Sequence, residues 1–163
     1  MVEIRQATAE DIPAVRALFR EYFDWAFTIE AGSEEAPTFE GVEEELRTLP
    51  GPYAPPRGRL FVGLVDGEAA GTIALKPHTE EQAELKRLYV SPKFRGHQLG
   101  LKLTQALIEE ARSTGYKRLV LDSHRNMVRA HAAYRSNGFV DVEAPADFPE
   151  RFKPYVVFMR LDL

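Results

Sequence analysis

A chain of 163 residues, 44% hydrophobic and 28% charged, is long enough for one buried core and ordinary enough in composition to fold without metal or disulfide support. It contains no cysteine, which excludes disulfides, thiolate zinc sites and a thiolate nucleophile, and its formal net charge of −4 argues against binding nucleic-acid backbones. No apolar run reaches the roughly 20 residues of a membrane span, and the opening MVEIRQATAED lacks the basic and apolar stretches of a signal peptide, so a cytoplasmic location is expected. His78, His97, His124 and His131 are scattered without metal-ligand spacing, and no metal site is expected.

Residues 2–6 (VEIRQ) alternate apolar and polar as a half-buried strand does, and Thr8 stands three positions before Asp11 in a capping-box arrangement. A helix over about 9–29 follows, because Ile12, Val15, Leu18, Phe19, Tyr22, Phe23 and Ala26 recur at three- and four-residue spacing; Gly32 and Ser33 end it. Phe39, Val42, Leu46 and Leu49 share the face of a shorter helix near 39–49, with Glu43, Glu44 and Glu45 mostly off it. PGPYAPPRG (50–58) is dense in helix breakers and is expected to be a loop. Strands RLFVGLVD (59–66) and AAGTIALK (69–76) flank Asp66-Gly67, a dipeptide suited to the positive φ angles of a tight hairpin turn, and AELKRLYV (83–90) is a third strand of this group.

Helical period returns over 98–114, with Leu99, Leu103, Ala106 and Leu107 on one face and Gly115 as the stop. The strand KRLVLD (117–122) leads into a helix near 126–136 that ends at Asn137-Gly138, and FVDVE and YVVFMRLDL close the chain as strands. No repeat or low-complexity segment interrupts this order, which predicts one α/β domain over residues 1–163, a mixed sheet with helices on its faces.

The segment VSPKFRGHQLGLKLTQAL (90–107) takes a strand through a loop containing Pro, Arg and Gly directly into a helix. The first N–H groups of a helix are unpaired and the helix dipole places roughly half a positive charge there, so such a junction can hold a pyrophosphate by its main chain. Lys93 and Arg95 add charge, and Gly96 and Gly100 let the backbone approach an oxygen without a Cβ in the way. An ordinary strand-loop-helix junction would carry the same pattern.

From Glu84 to Phe139, AELKRLYVSPKFRGHQLGLKLTQALIEEARSTGYKRLVLDS followed by AAYRSNGF resembles the core of the GNAT superfamily of acyl-CoA-dependent N-acetyltransferases. The diagnostic stretch there is R/Q-x-x-G-x-G/A after a strand ending in Val. The resemblance implies a single GNAT-like domain with a mixed sheet of about six to seven strands flanked by about four helices, and acetyl-CoA as co-substrate. It implies that Leu88 and Val90 meet the pantetheine arm and thioester, and that Arg95, Gly96, His97, Gln98, Leu99 and Gly100 hold the pyrophosphate. Gln98 departs from the pattern, which has Gly at that place; Gln adopts helical φ/ψ comfortably, so its amide is expected still to face phosphate.

Two further positions carry chemistry by the same resemblance. Glu84 matches the glutamate that serves some members as general base, and a base is required: a lysine-like amine of pKa about 10.4 is ammonium at pH 7, and freeing its lone pair costs about 4.6 kcal/mol. A surface carboxylate beside Lys86 is the other reading of Glu84. Tyr134 matches the Tyr of A-x-x-L-Y-x-x-x-G-F, whose hydroxyl lies near the thioester sulfur and suits a general acid; a core aromatic on the last helical turn is its other reading. Ala130 fits that motif, whereas Met127 stands where Asn is usual and Asn126 is out of register. With no cysteine for a covalent relay, direct attack in a ternary complex follows.

His97 lies in the phosphate loop and is either a phosphate contact or an exposed loop histidine. Phe23, Trp25 and Phe27 either border the acceptor channel or belong to the core, and Glu21, Asp24, Glu34 and Glu35 would favour a cationic acceptor unless they are simply solvated. The partners expected are acetyl-CoA and an amine on a small molecule, peptide or protein, with neither nucleic acid nor membrane; oligomeric state is not set by the sequence, and a homodimer stays open. A CoA-binding regulatory module that keeps the fold without transfer is the competing function, favoured by Gln98 and Met127, while Glu84 and Tyr134 favour the enzyme.

Overall fold

The computed structural model describes residues 1–30 and 41–163, so the expected helix stop at Gly32-Ser33, the start at Phe39 and the carboxylates of Glu34 and Glu35 lie outside the described residues. Strand β1 (Val2–Gln6) passes through a turn of 3-10 helix into helix α1 (Ile12–Glu30), and α2 (Val42–Thr48) follows. Strands β2 (Arg59–Val65), β3 (Glu68–Pro77) and β4 (Gln82–Val90) form a meander; α3 (Leu99–Thr114), β5 (Arg118–His124), α4 (Val128–Ser136), β6 (Val140–Val142) and β7 (Val156–Asp162) complete the chain. The helix expected from residue 9 is 3-10 over Ala9–Asp11 before α1 takes over; Thr8 N–H donates to Asp11 Oδ2 at 2.7 Å, the capping interaction anticipated from spacing.

The seven strands lie in the order β1-β2-β3-β4-β5-β7-β6, all antiparallel except the parallel β4–β5 pair. The hairpin between β2 and β3 turns at Asp66 (φ 49°) and Gly67 (φ 83°), both left-handed, as the Asp-Gly dipeptide predicts. On one face α3 and α4 bury Leu103, Leu107, Ile108 and Tyr134 against Ile73, Leu85 and Leu119. On the other, α1 and α2 bury Val15, Phe19, Phe23 and Leu46 against Val62, Ala74 and Tyr89. Each such large apolar side chain contributes about 1.5–3 kcal/mol by leaving water, and these two layers hold the sheet from both sides.

Two features of β4 shape everything that follows. The first is a bulge: Ala74 pairs with Lys86 and Thr72 with Tyr89, so Arg87 and Leu88 together oppose the single residue Ile73. Arg87 takes a left-handed φ of 60°, which costs a non-glycine residue about 1–2 kcal/mol. That conformation is held from outside. The guanidinium forms two 2.9 Å bonds to Glu45 of α2 and lies over the Phe23 ring at 4.9 Å, while the Thr72 hydroxyl donates to the Arg87 carbonyl at 3.0 Å. Gly71 leaves the room this needs, since a Cβ there would stand 2.8 Å from the Tyr89 carbonyl oxygen.

The second feature is a divergence. β4 and β5 pair only from Gln82 with Arg118 to Glu84 with Val120, and beyond that point the strands separate. From Leu85 to Val90, therefore, β4 has no strand partner on its β5 side.

Candidate active site

The gap between the diverging strands opens into a cavity of about 840 Å3. One wall is β4 from Leu85 to Val90 and the other is the end of β5, Asp122 to His124. Arg95, Gly96 and the start of α3 from Gln98 to Leu101 close one end; Met127, Arg129 and Tyr134 come from the α4 side, and Tyr22 and Trp25 from α1.

At the α3 end the main chain is arranged to receive an anion. The first bond of that helix runs from Lys102 N–H to the Gln98 carbonyl, so the N–H groups of Leu99, Gly100 and Leu101 have no intrahelical acceptor. Gly96 (φ 96°) and Gln98 (φ 58°) both take left-handed conformations, which turn successive N–H groups toward one side. A Cβ on Gly100 would meet only Ala133 Cβ at 3.9 Å, so the approach to these amides is open. Arg95 and Arg129 lie on the cavity wall, and a guanidinium is chemically suited to phosphate oxygens. Lys93 does not line it and is bound to Glu68 at 2.8 Å.

Gln98 corrects one expectation. Its backbone is left-handed, not helical, because the chain must reverse sharply to enter α3, and that requirement is the physical reason a Gly suits the position. Gln98→Gly should therefore relieve strain and raise stability by about 0.5–1 kcal/mol, with CoA affinity held or improved. A fall in melting temperature, or weaker CoA binding by calorimetry, would show that the Gln98 side chain is itself a contact.

Of the residues expected at the site, Leu88, Val90, Arg95, Gly96, Gln98, Leu99, Gly100 and Tyr134 line the cavity, brought together from three stretches of chain: the end of β4, the turn into α3, and α4. His97 is exposed and does not line it. Glu84 does not line it either: its carboxylate meets His78 Nδ1 at 3.2 Å and Lys86 Nζ at 3.6 Å. Of the first-helix aromatics, Trp25 lines the cavity, Phe23 is core at 1% exposure and Phe27 is exposed. Glu21 serves β4, accepting bonds from Tyr89 (3.2 Å) and Ser91 (3.0 Å); burial and this carboxylate push the Tyr89 phenol up to about 12.

Tyr134 is buried against Phe139 and His131, and its hydroxyl makes no hydrogen bond to a described residue. Burial holds its pKa well above the ordinary phenol range, with a smaller upward push from Tyr22 and Asp122. It is thus neutral, protonated and available to a group in the cavity. Two residues to which the sequence assigns no role in the site also belong to the wall, Asp122 and His124. The apolar run of β5 breaks into the polar Asp122-Ser123-His124 where the strands part, a signal that only register makes meaningful.

The chain matches the acetyltransferase (GNAT) family over residues 12–139. It is 36% identical over 128 residues to an uncharacterized N-acetyltransferase of Schizosaccharomyces pombe, covering 77% of each chain, and 28% identical over 144 residues to the uncharacterized N-acetyltransferase YjgM of Escherichia coli, covering 86% of this chain and 83% of that one. A Streptococcus agalactiae acetyltransferase superposes with a TM-score of 0.75 at 25% identity over 99% of this chain and 98% of the other. An N-acetyltransferase from Thermoplasma acidophilum in complex with coenzyme A shares the fold, with a TM-score of 0.72 at 21% identity over 100% and 99% of the two chains. This protein belongs to the GNAT acetyltransferase family and uses acetyl-CoA. Among the described residues no helix is long and apolar enough to cross a membrane.

Proposed function

We propose that the protein transfers the acetyl group of acetyl-CoA to a primary amine by direct attack, as a single domain spanning residues 1–163. The observation that carries this is one continuous cavity running from the start of α3, past the part of β4 beyond its last pair with β5, to Tyr134 and Asp122. Its electropositive end, with the α3 amides, Arg95 and Arg129, suits the pyrophosphate, its strand edge the amide-rich pantetheine arm, and the Tyr134 region the thioester. The competing reading, a CoA-binding module without transfer, would give no reason for a buried, unpaired phenol at that depth.

In this reading the incoming ammonium loses one proton to Asp122, directly or through water, and that proton passes to solvent. The freed nitrogen attacks the thioester carbonyl carbon, the C–S bond breaks, and the Tyr134 hydroxyl protonates the departing sulfur. The second proton of the new amide nitrogen restores Tyr134. Asp122 is the better-placed base because it lines the cavity and lies near Tyr134, whereas Glu84 would need a water chain past Lys86.

Acetyl-CoA or CoA should raise the melting temperature, by an amount corresponding to about 2.7 kcal/mol at a ligand concentration of 100 Kd. Gly100→Glu, which sets a carboxylate against the free amides, should abolish the shift while circular dichroism stays unchanged. No shift for the parent at millimolar CoA would sink the reading, and a normal shift in the variant would move the phosphate site elsewhere.

A further inference from the structure

The face of the sheet that looks toward α1 carries a charge pattern the transfer chemistry alone does not use. Glu84 and Val120 are paired neighbours across the parallel strands, so their side chains share a face, and Lys86 and Asp122, two residues further along each strand, return to it. His124 returns to it next. Lys86, Asp122 and His124 all line the cavity, and Leu119 and Leu121, which alternate with them, lie in the opposite core.

His124 is 6% exposed, and its tautomer is set by its surroundings. The Asn126 backbone N–H donates to Nδ1 at 3.1 Å, which leaves the ring proton on Nε2. That Nε2–H is buried with no hydrogen-bond partner among the described residues. An unsatisfied buried donor is costly, and on a residue of the cavity wall it is a group that a bound molecule could complete. By contrast His131 already has Ser123 Oγ at 3.0 Å from its Nε2. Lys86 is held only loosely, by Glu84 at 3.6 Å.

We propose that the acceptor is a free amino acid, whose carboxylate is received by His124 Nε2–H and the Lys86 ammonium while its amino group is presented to Asp122. The inference rests on the transfer reading above and names its substrate class. A donor and a cation flanking a carboxylate match a zwitterion in both signs, whereas a simple alkylamine would leave His124 unsatisfied and Lys86 without an anion from the substrate. His124 is then a positioning residue: it binds the part of the acceptor that does not react.

The test is thiol release from acetyl-CoA by the full chain with the twenty L-amino acids, each compared with its carboxamide and its decarboxylated amine, beside a calorimetric titration of CoA alone. At least one amino acid should be turned over with kcat/KM ten-fold or more above both analogues. For that amino acid His124→Leu should raise KM about ten- to hundred-fold with kcat and CoA affinity little changed, as expected for loss of a hydrogen bond to a charged group. His124→Gln, which keeps an N–H donor at a similar reach, should recover much of the loss. Amides or decarboxylated amines used as well as the acids would overturn the proposal, as would no turnover of any amino acid by protein that binds CoA, or a His124→Leu variant with an unchanged KM. Failure to bind CoA at all would instead bring down the transfer reading beneath it.

Discussion

Tyr134→Phe should lower kcat by about 10²- to 10⁴-fold while leaving KM for acetyl-CoA and the melting temperature nearly unchanged. The ring is packed on Phe139 and His131 and the hydroxyl bonds to no described residue, so deleting one oxygen removes no packing and breaks no internal bond. What is lost, in the proposed reaction, is the proton donor to the leaving sulfur. Because burial holds this phenol far above its ordinary pKa, the parent keeps its proton across the whole working range, and the variant should show a uniform loss with no recovery at any pH. A Tyr134→Phe enzyme that turns over like the parent would make Tyr134 a core aromatic and nothing more.

Asp122→Asn should cost a similar factor, about 10²- to 10⁴-fold in kcat at neutral pH, with a different signature. Without a base, only the acceptor already deprotonated in solution can react, so the residual rate should climb with pH towards the amine's own pKa. Glu84→Gln is the internal comparison. Its carboxylate is occupied by His78 and Lys86 outside the cavity wall, so its loss should reduce turnover far less. If Glu84→Gln instead shows the large, pH-recovering loss and Asp122→Asn does not, a water chain to Glu84 carries the proton and Asp122 is a bystander. Measuring kcat from pH 6 to pH 10 for both variants on one acceptor separates these outcomes.

The amino-acid sequence by itself determined the elements, and with them the family. Hydrophobic period placed α1, α3 and β2 to β5 within a few residues, Asp66-Gly67 located the hairpin, and the Arg95 to Gly100 stretch marked the turn into α3, because these depend on neighbours close in the chain. The 3-10 turn over Glu150–Tyr155 carries no such local period and went unread. Tertiary structure decided the rest. The bulge at Arg87 exists because Glu45, some forty residues away, and Thr72 hold a backbone that Arg87 alone would avoid. The parting of β4 from β5 after Glu84 and Val120 determines which carboxylate lines the cavity, and it selects Asp122 over Glu84. Gln98 shows the same division within one residue: its side chain is compatible with a helix, but the turn into α3 forces a left-handed backbone that its identity does not announce. Local propensity acts over a turn or two of chain, whereas a site assembled from β4, β5, α3 and α4 depends on register and strand divergence, which are properties of the packed sheet.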